Sequence, residues 1–180
     1  MPQTADDLDA VAVRTWCSLA LDALGREREA IDAINVYPVA DGDTGTNLYL
    51  TVESAAAAVE AVFAAHETGT SVPSTADAVR AMAHGALIGA RGNSGTILAQ
   101  LLRGMAEVLA EGAGAGRLSL ALTRAAASAR EAVAHPVEGT VLTVAAAAAA
   151  AAERPADGAG APAVVRRPGG PGAGVPRRGG

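Results

Sequence analysis

Two aspartates one residue apart, Asp41 and Asp43, lie in the segment Asn35-Val36-Tyr37-Pro38-Val39-Ala40-Asp41-Gly42-Asp43-Thr44-Gly45-Thr46-Asn47. Their carboxylates are hard oxygen donors of the kind that hold a divalent cation. Gly42 and Gly45 let the backbone turn sharply and come close to a ligand. Pro38 resists helix and pushes Tyr37 towards extended geometry. Asp43 and Thr44 then stand where a helix N-cap belongs, ahead of the apolar run Leu48 to Val62. The unpaired N–H groups and partial positive charge of a helix start suit phosphate. Cation and phosphate together describe a Mg-nucleotide site. A turn followed by a cap would account for the same letters with a single carboxylate, contributing about 0.5–2 kcal/mol. The second carboxylate adds a repulsion of about 0.8 kcal/mol at roughly 5 Å in water, which a bound cation would reverse. On these residues alone both readings stay open. A calcium loop fits worse: counting from Asp41, Thr46 and Val52 stand where Gly and Glu belong.

A second glycine-rich segment, Gly89-Ala90-Arg91-Gly92-Asn93-Ser94-Gly95-Thr96, runs into the apolar stretch Ile97 to Leu109. Two such loops, each opening a helix, can converge on one anionic ligand. The first would bring Asp41, Asp43, Thr44, Gly45 and Asn47, and the second Gly92, Asn93, Ser94, Gly95 and Thr96. Neither follows a predicted strand, so the Rossmann fingerprint and the Walker loop fit poorly. Lysine is absent from the chain, which removes a P-loop lysine and a Schiff-base lysine from consideration. Arg91 is placed to clamp a phosphate, or to stand solvated on its loop. His66, His84 and His135 read as surface or helix-end residues, because phosphoryl transfer needs no histidine. Trp16 and Met105 read as core.

The elements that must position these residues are helical. Leu8, Val11, Ala12, Trp16, Leu19, Ala20 and Ala23 recur at helical spacing from Asp6 to Leu24, with Gly25 as the stop. A shorter helix, Arg26 to Ile34, leads into the aspartate loop, and the helix leaving it runs to about Ala65. Ser74-Thr75-Ala76-Asp77 resembles a capping box opening a helix to Ala90. Ser119 is placed to cap a further helix that stops before Pro136, and a last helical run ends near Ala152. No segment alternates with period two, so the predicted class is all-α.

Composition supports this. Half of the 180 residues are hydrophobic, much of that alanine, and only 2% are aromatic, so helices must pack through small side chains. The net charge of −5 argues against a nucleic-acid surface. Cys17 is alone, which leaves no internal disulfide and no cysteine zinc site; it reads as a core residue. The acidic N-terminus is unlike a signal peptide, and Ala145 to Ala152 is too short to span a bilayer, so the expected address is the cytoplasm. From Glu153 onward, 13 of 28 residues are Gly or Pro, and a disordered tail over 153–180 is expected. A shifted reading frame near Glu153 would produce the same Gly/Pro/Arg-rich text.

The two loops, together with His135-Pro136-Val137-Glu138-Gly139-Thr140-Val141-Leu142-Thr143, resemble the three signature blocks of the DhaL (dihydroxyacetone kinase nucleotide-binding) domain family. The similarity is greatest to the branch at the N-terminus of the bacterial fatty acid kinase A subunit, and it spans residues 6–152. The resemblance implies an antiparallel helical barrel that binds ATP or ADP through two Mg²⁺ ions. In that branch it further implies phosphorylation of an acyl chain presented by a DegV-like carrier protein. By the same resemblance, Asp41 and Asp43 are the magnesium-binding, catalytic acids. Thr44, Gly45 and Asn47 lie on the phosphate side, as do Gly92, Asn93, Ser94 and Gly95. Glu138, Gly139 and Thr140 lie near the base end of the nucleotide. A third metal acid of the dihydroxyacetone branch is replaced here by Val36, with Asp32 or Asn35 as the stand-in. The family's closing helices have no counterpart in this sequence, so an incomplete barrel with an open apolar flank is expected. A homodimer is an expected form of the domain. Competing readings are a non-catalytic nucleotide- or partner-binding fragment and a purely structural alanine-rich bundle.

Overall fold

In a computed structural model, residues 8–35, 41–67, 69, 71–112, 114, 116–136 and 141–154 are described. Six α-helices account for them, with no strand among the described residues: α1 (Ala10–Ala33), α2 (Thr44–Glu67), α3 (Thr75–Gly89), α4 (Gly92–Leu109), α5 (Arg117–Glu131) and α6 (Val141–Ala152). The all-α expectation therefore holds. Each helix packs on the next, and α2 also reaches α4 while α1 reaches α3. Residues 155–180, on which the expected tail falls, lie outside the described residues, as do Glu138, Gly139 and Thr140.

The first helix differs from the expectation in two ways. It runs through Gly25 without a break and absorbs the segment from Arg26. Gly25 is exposed there, and a Cβ on it would stand 3.4 Å from the Tyr49 ring, an ordinary contact distance. The buried stripe is Ala10, Val13 and Cys17, while Val11, Trp16 and Leu19 are exposed. Both stripes have helical spacing; the neighbours α2 and α3 select the smaller one. Trp16, expected in the core, stays 42% exposed.

Small residues set how closely the helices approach. A Cβ at Gly85 would fall 2.6 Å from the Ala58 Cβ, and one at Gly104 would fall 2.8 Å from the Arg124 carbonyl oxygen. The α2–α3 and α4–α5 pairs therefore touch almost backbone to backbone, which an alanine-rich composition permits. Leu102, Leu109, Val59 and Val79 fill what remains of the core. Cys17 joins them, 1% exposed, and burial, with Glu60 nearby, pushes its thiol up to about 11. Trp16, Met82, Leu101, Met105, Leu122 and Val144 line an apolar cavity of about 430 Å³ between α1, α3, α4, α5 and α6. Met105 is thus a cavity wall. Among the described residues α2 is long and apolar enough to cross a membrane, yet it packs against α1, α3 and α4, the setting of a core helix.

Helix starts were the harder boundaries to expect. The capping box at α3 is present in full: Ser74 Oγ accepts from the Asp77 N–H at 3.1 Å, and the Asp77 carboxylate accepts from the Ser74 N–H at 3.1 Å. Ser119 does not cap α5. That helix begins two residues earlier, after Gly116 at φ +83°, and the Ser119 carbonyl accepts from Thr123 Oγ1 inside it.

Candidate functional site

The site forms where α2 and α4 begin. Asp43 is the N-cap of α2, its carbonyl accepting the Asn47 N–H at 2.8 Å. Gly42 turns the chain into it at φ +65°, in the left-handed region that favours glycine. The helix is pressed onto the last turns of α1. A Cβ at Gly45 would fall on the Arg28 carbonyl oxygen at 2.3 Å and on the Ile31 Cβ at 3.0 Å. From α1, Asp32 Oδ1 accepts the Thr46 N–H at 3.1 Å and Oδ2 accepts the Thr46 hydroxyl at 2.7 Å. Burial works to raise the Asp32 pKa, but these bonds, the Gly45 N–H and the nearby Arg28 charge outweigh it and hold the carboxyl below its ordinary value.

The start of α4 is seated on α2. Gly92 has φ +55°, and a Cβ there would meet Asn47 Nδ2 at 2.3 Å. One helical turn on, a Cβ at Gly95 would meet Thr51 Oγ1 at 2.4 Å. Thr51 is fully buried; its hydroxyl donates to the Asn47 carbonyl at 2.7 Å and accepts the Arg91 N–H at 3.3 Å. Sequence reasoning missed Thr51. The available signal was its spacing four residues after Asn47, where a helical hydroxyl back-bonds to a carbonyl.

These contacts bring the two glycine-rich segments together. Thr44 Oγ1 and Ser94 Oγ lie 3.3 Å apart, either one able to donate. Asn47 is 9% exposed, beside Gly92. Asp41 is exposed, with its Oδ1 accepting from the Asn35 amide at 2.5 Å, and Asp43 is half-buried. Arg91, the N-cap of α4, supplies no side-chain cap; its guanidinium donates to the Ala90 carbonyl at 3.3 Å and is otherwise exposed. The first N–H groups of α4, at Gly92, Asn93 and Ser94, are therefore left without a capping side chain. Those of α2 at Gly45 and Thr46 already face the Asp32 carboxylate.

Among the described residues no three His, Cys, Asp or Glu side chains gather into a ready-made metal cage. The donor set fits Mg²⁺ in the one manner that needs no cage, bound by one or two carboxylates with waters and ligand phosphates completing the shell. His66 Nδ1 donates to the Val62 carbonyl, 20 residues along α2 from Thr46 and so roughly 30 Å away. His84 and His135 are exposed.

Two glycine-hinged helix starts thus meet at their hydroxyls in an all-helical domain. The chain belongs to the DAK2 domain family, whose sequence pattern matches residues 38–167. Protein YloV of Bacillus subtilis is 41% identical over 137 residues, which cover 73% of this chain and 23% of that protein. The uncharacterized protein SSP1546 of Staphylococcus saprophyticus is 40% identical over 124 residues, 68% of this chain and 21% of its own length. A Staphylococcus aureus relative, SAUSA300_1119, matches at 40% over the same length. The chain spans less than a quarter of the length of these curated relatives.

Proposed function

We propose that this domain holds Mg-ATP for a phosphotransferase of the fatty acid kinase A type, with the acceptor presented by a separate DegV-like carrier protein. The observation that supports the reading best is the 3.3 Å approach of the Thr44 and Ser94 hydroxyls. It puts the aspartate loop and the uncapped start of α4 within reach of one polyphosphate. In this reading Asp41 and Asp43 hold two Mg²⁺ ions, which would neutralise charge building on the transferred phosphoryl group. Gly92, Asn93 and Ser94 donate backbone N–H groups to phosphate oxygens, and Gly95 keeps α4 tight against Thr51. Thr44 and Ser94 orient the phosphate between the helix starts, with Gly45 and Asn47 shaping the α2 side. Glu138, Gly139 and Thr140 are assigned to the base end through the resemblance. The acceptor carboxylate or hydroxyl needs only to be placed in line. A cytoplasmic address and a homodimer belong to the same proposal.

The test is calorimetric titration of the chain with ADP at fixed Mg²⁺. Binding should require Mg²⁺ and weaken by about tenfold or more in Asp41→Ala and Asp43→Ala, the scale of losing a charge-assisted contact. Binding indifferent to Mg²⁺ and to both substitutions would refute the reading. The competing reading is nucleotide or partner binding without turnover. Phosphate transfer from ATP to a carrier-bound fatty acid or to dihydroxyacetone would eliminate it.

A further inference from the structure

Asp32 sits where the last turn of α1 meets the first turn of α2. Both of its carboxylate oxygens are engaged there, Oδ1 by the Thr46 N–H at 3.1 Å and Oδ2 by the Thr46 hydroxyl at 2.7 Å. A carboxylate at a helix start is stabilised by the dipole and by the N–H groups it satisfies. A cation on the same oxygens would face the donor hydrogens already directed at them and the positive end of α2.

We propose that Asp32 is a positioning residue of the nucleotide site, a carboxylate lent by α1 to cap α2 from outside, and not a ligand of the metal. The proposal rests on the nucleotide reading for what the site binds. Asp32 fixes Gly45 and Thr46, with Gly45 too close to the Arg28 carbonyl oxygen to shift inward. Thr44, the residue before, is thereby held with its hydroxyl 3.3 Å from Ser94. The same contact takes up the Gly45 and Thr46 N–H groups of the α2 mouth, which already have an anion. The incoming phosphate then belongs to the α4 mouth, where Arg91 provides no cap.

Three variants separate a cap from a metal ligand, each read by Mg-ADP calorimetry over a Mg²⁺ series. Asp32→Ala loses the cap and should weaken Mg-ADP binding by about tenfold, the upper part of the range for a lost cap. Asp32→Asn keeps an acceptor oxygen for the Thr46 N–H and offers its amide to the Thr46 hydroxyl. It should recover binding to within about threefold of the wild type, a partial cap loss. Thr46→Val removes the hydroxyl alone and should weaken binding by about threefold, one neutral hydrogen bond. The Mg²⁺ concentration at half-saturation should stay within about twofold throughout, because no first-shell ligand changes. The opposite pattern overturns the proposal: a Mg²⁺ requirement raised about tenfold in Asp32→Asn with Thr46→Val indistinguishable from the wild type. Wild-type binding in all three variants overturns it equally. If Asp32→Ala does not fold, the other two variants decide. Failure of the nucleotide reading is told apart because the unsubstituted chain would then not bind Mg-ADP at all, and that result overturns this proposal too.

Discussion

Gly95 has no space for a side chain, with Thr51 Oγ1 only 2.4 Å from where its Cβ would stand. Thr51 cannot yield freely, because its buried hydroxyl bridges the Asn47 carbonyl and the Arg91 N–H. Gly95→Ala should therefore destabilise the chain by about 1–3 kcal/mol, the usual cost of overpacking, seen as a lower urea midpoint. Adding Thr51→Ala should make the pair cost less than the sum of the two single changes, since the two atoms compete for one space. A double variant that is simply additive would contradict the contact. That both glycine-rich segments bear on one place was legible in the letters, because glycine, small hydroxyls and paired acids are uncommon ahead of apolar runs. Which bonds each residue makes was not legible. Asp32 reads in the letters only as a stand-in metal acid, and its two bonds from Thr46 emerge where α1 crosses the start of α2.

The helices show why some boundaries could be read and others not. The cap of α3 is local: Ser74 and Asp77 satisfy each other three residues apart, so four letters were enough. The Asp77 carboxyl is held below its ordinary value, first by the Ser74 hydroxyl and then by the Ser74 N–H, with His66 and Arg80 adding to it. A group depressed in the folded state stabilises above its unfolded pKa and stops doing so as pH falls through the folded one. Ser74→Ala should lower stability at pH 7, seen as a lower urea midpoint. The gap from the wild type should narrow as pH falls and Asp77 is protonated, leaving the part due to the Asp77 N–H bond to Ser74 Oγ. A gap that does not change with pH would mean the box does not depend on that carboxylate. The starts of α2 and α4 were harder. Hydrophobic periodicity begins at Leu48 and Ile97, while the helices begin at Thr44 and Gly92. Their first turns are made of small and polar residues, Thr44 to Asn47 and Gly92 to Thr96, so the signal that marks a core helix is missing there. On α1 two stripes share the helical period, and only the packed neighbours distinguish Ala10, Val13 and Cys17 from Val11, Trp16 and Leu19.

At the scale of the molecule, small side chains produce a bundle in which several helix pairs meet backbone to backbone, with one apolar cavity among them. The near-absence of aromatic residues made this kind of packing readable. The cavity itself was not, since its lining comes from five helices far apart in the chain. The chain's one sulfhydryl lies on the buried face of α1, shut away from reagents and with its pKa raised to about 11 by burial. That position gives the protein an internal clock. An alkylating agent at pH 8 can reach Cys17 only when α1 lifts from α2 and α3, so the labelling rate counts those openings directly. We expect labelling to be slower in the native chain than in urea by about three orders of magnitude or more, in line with the free energy of a stable small domain. Immediate stoichiometric labelling of the native chain would show instead that α1 spends much of its time detached, and with it the aspartate that steadies the mouth of α2.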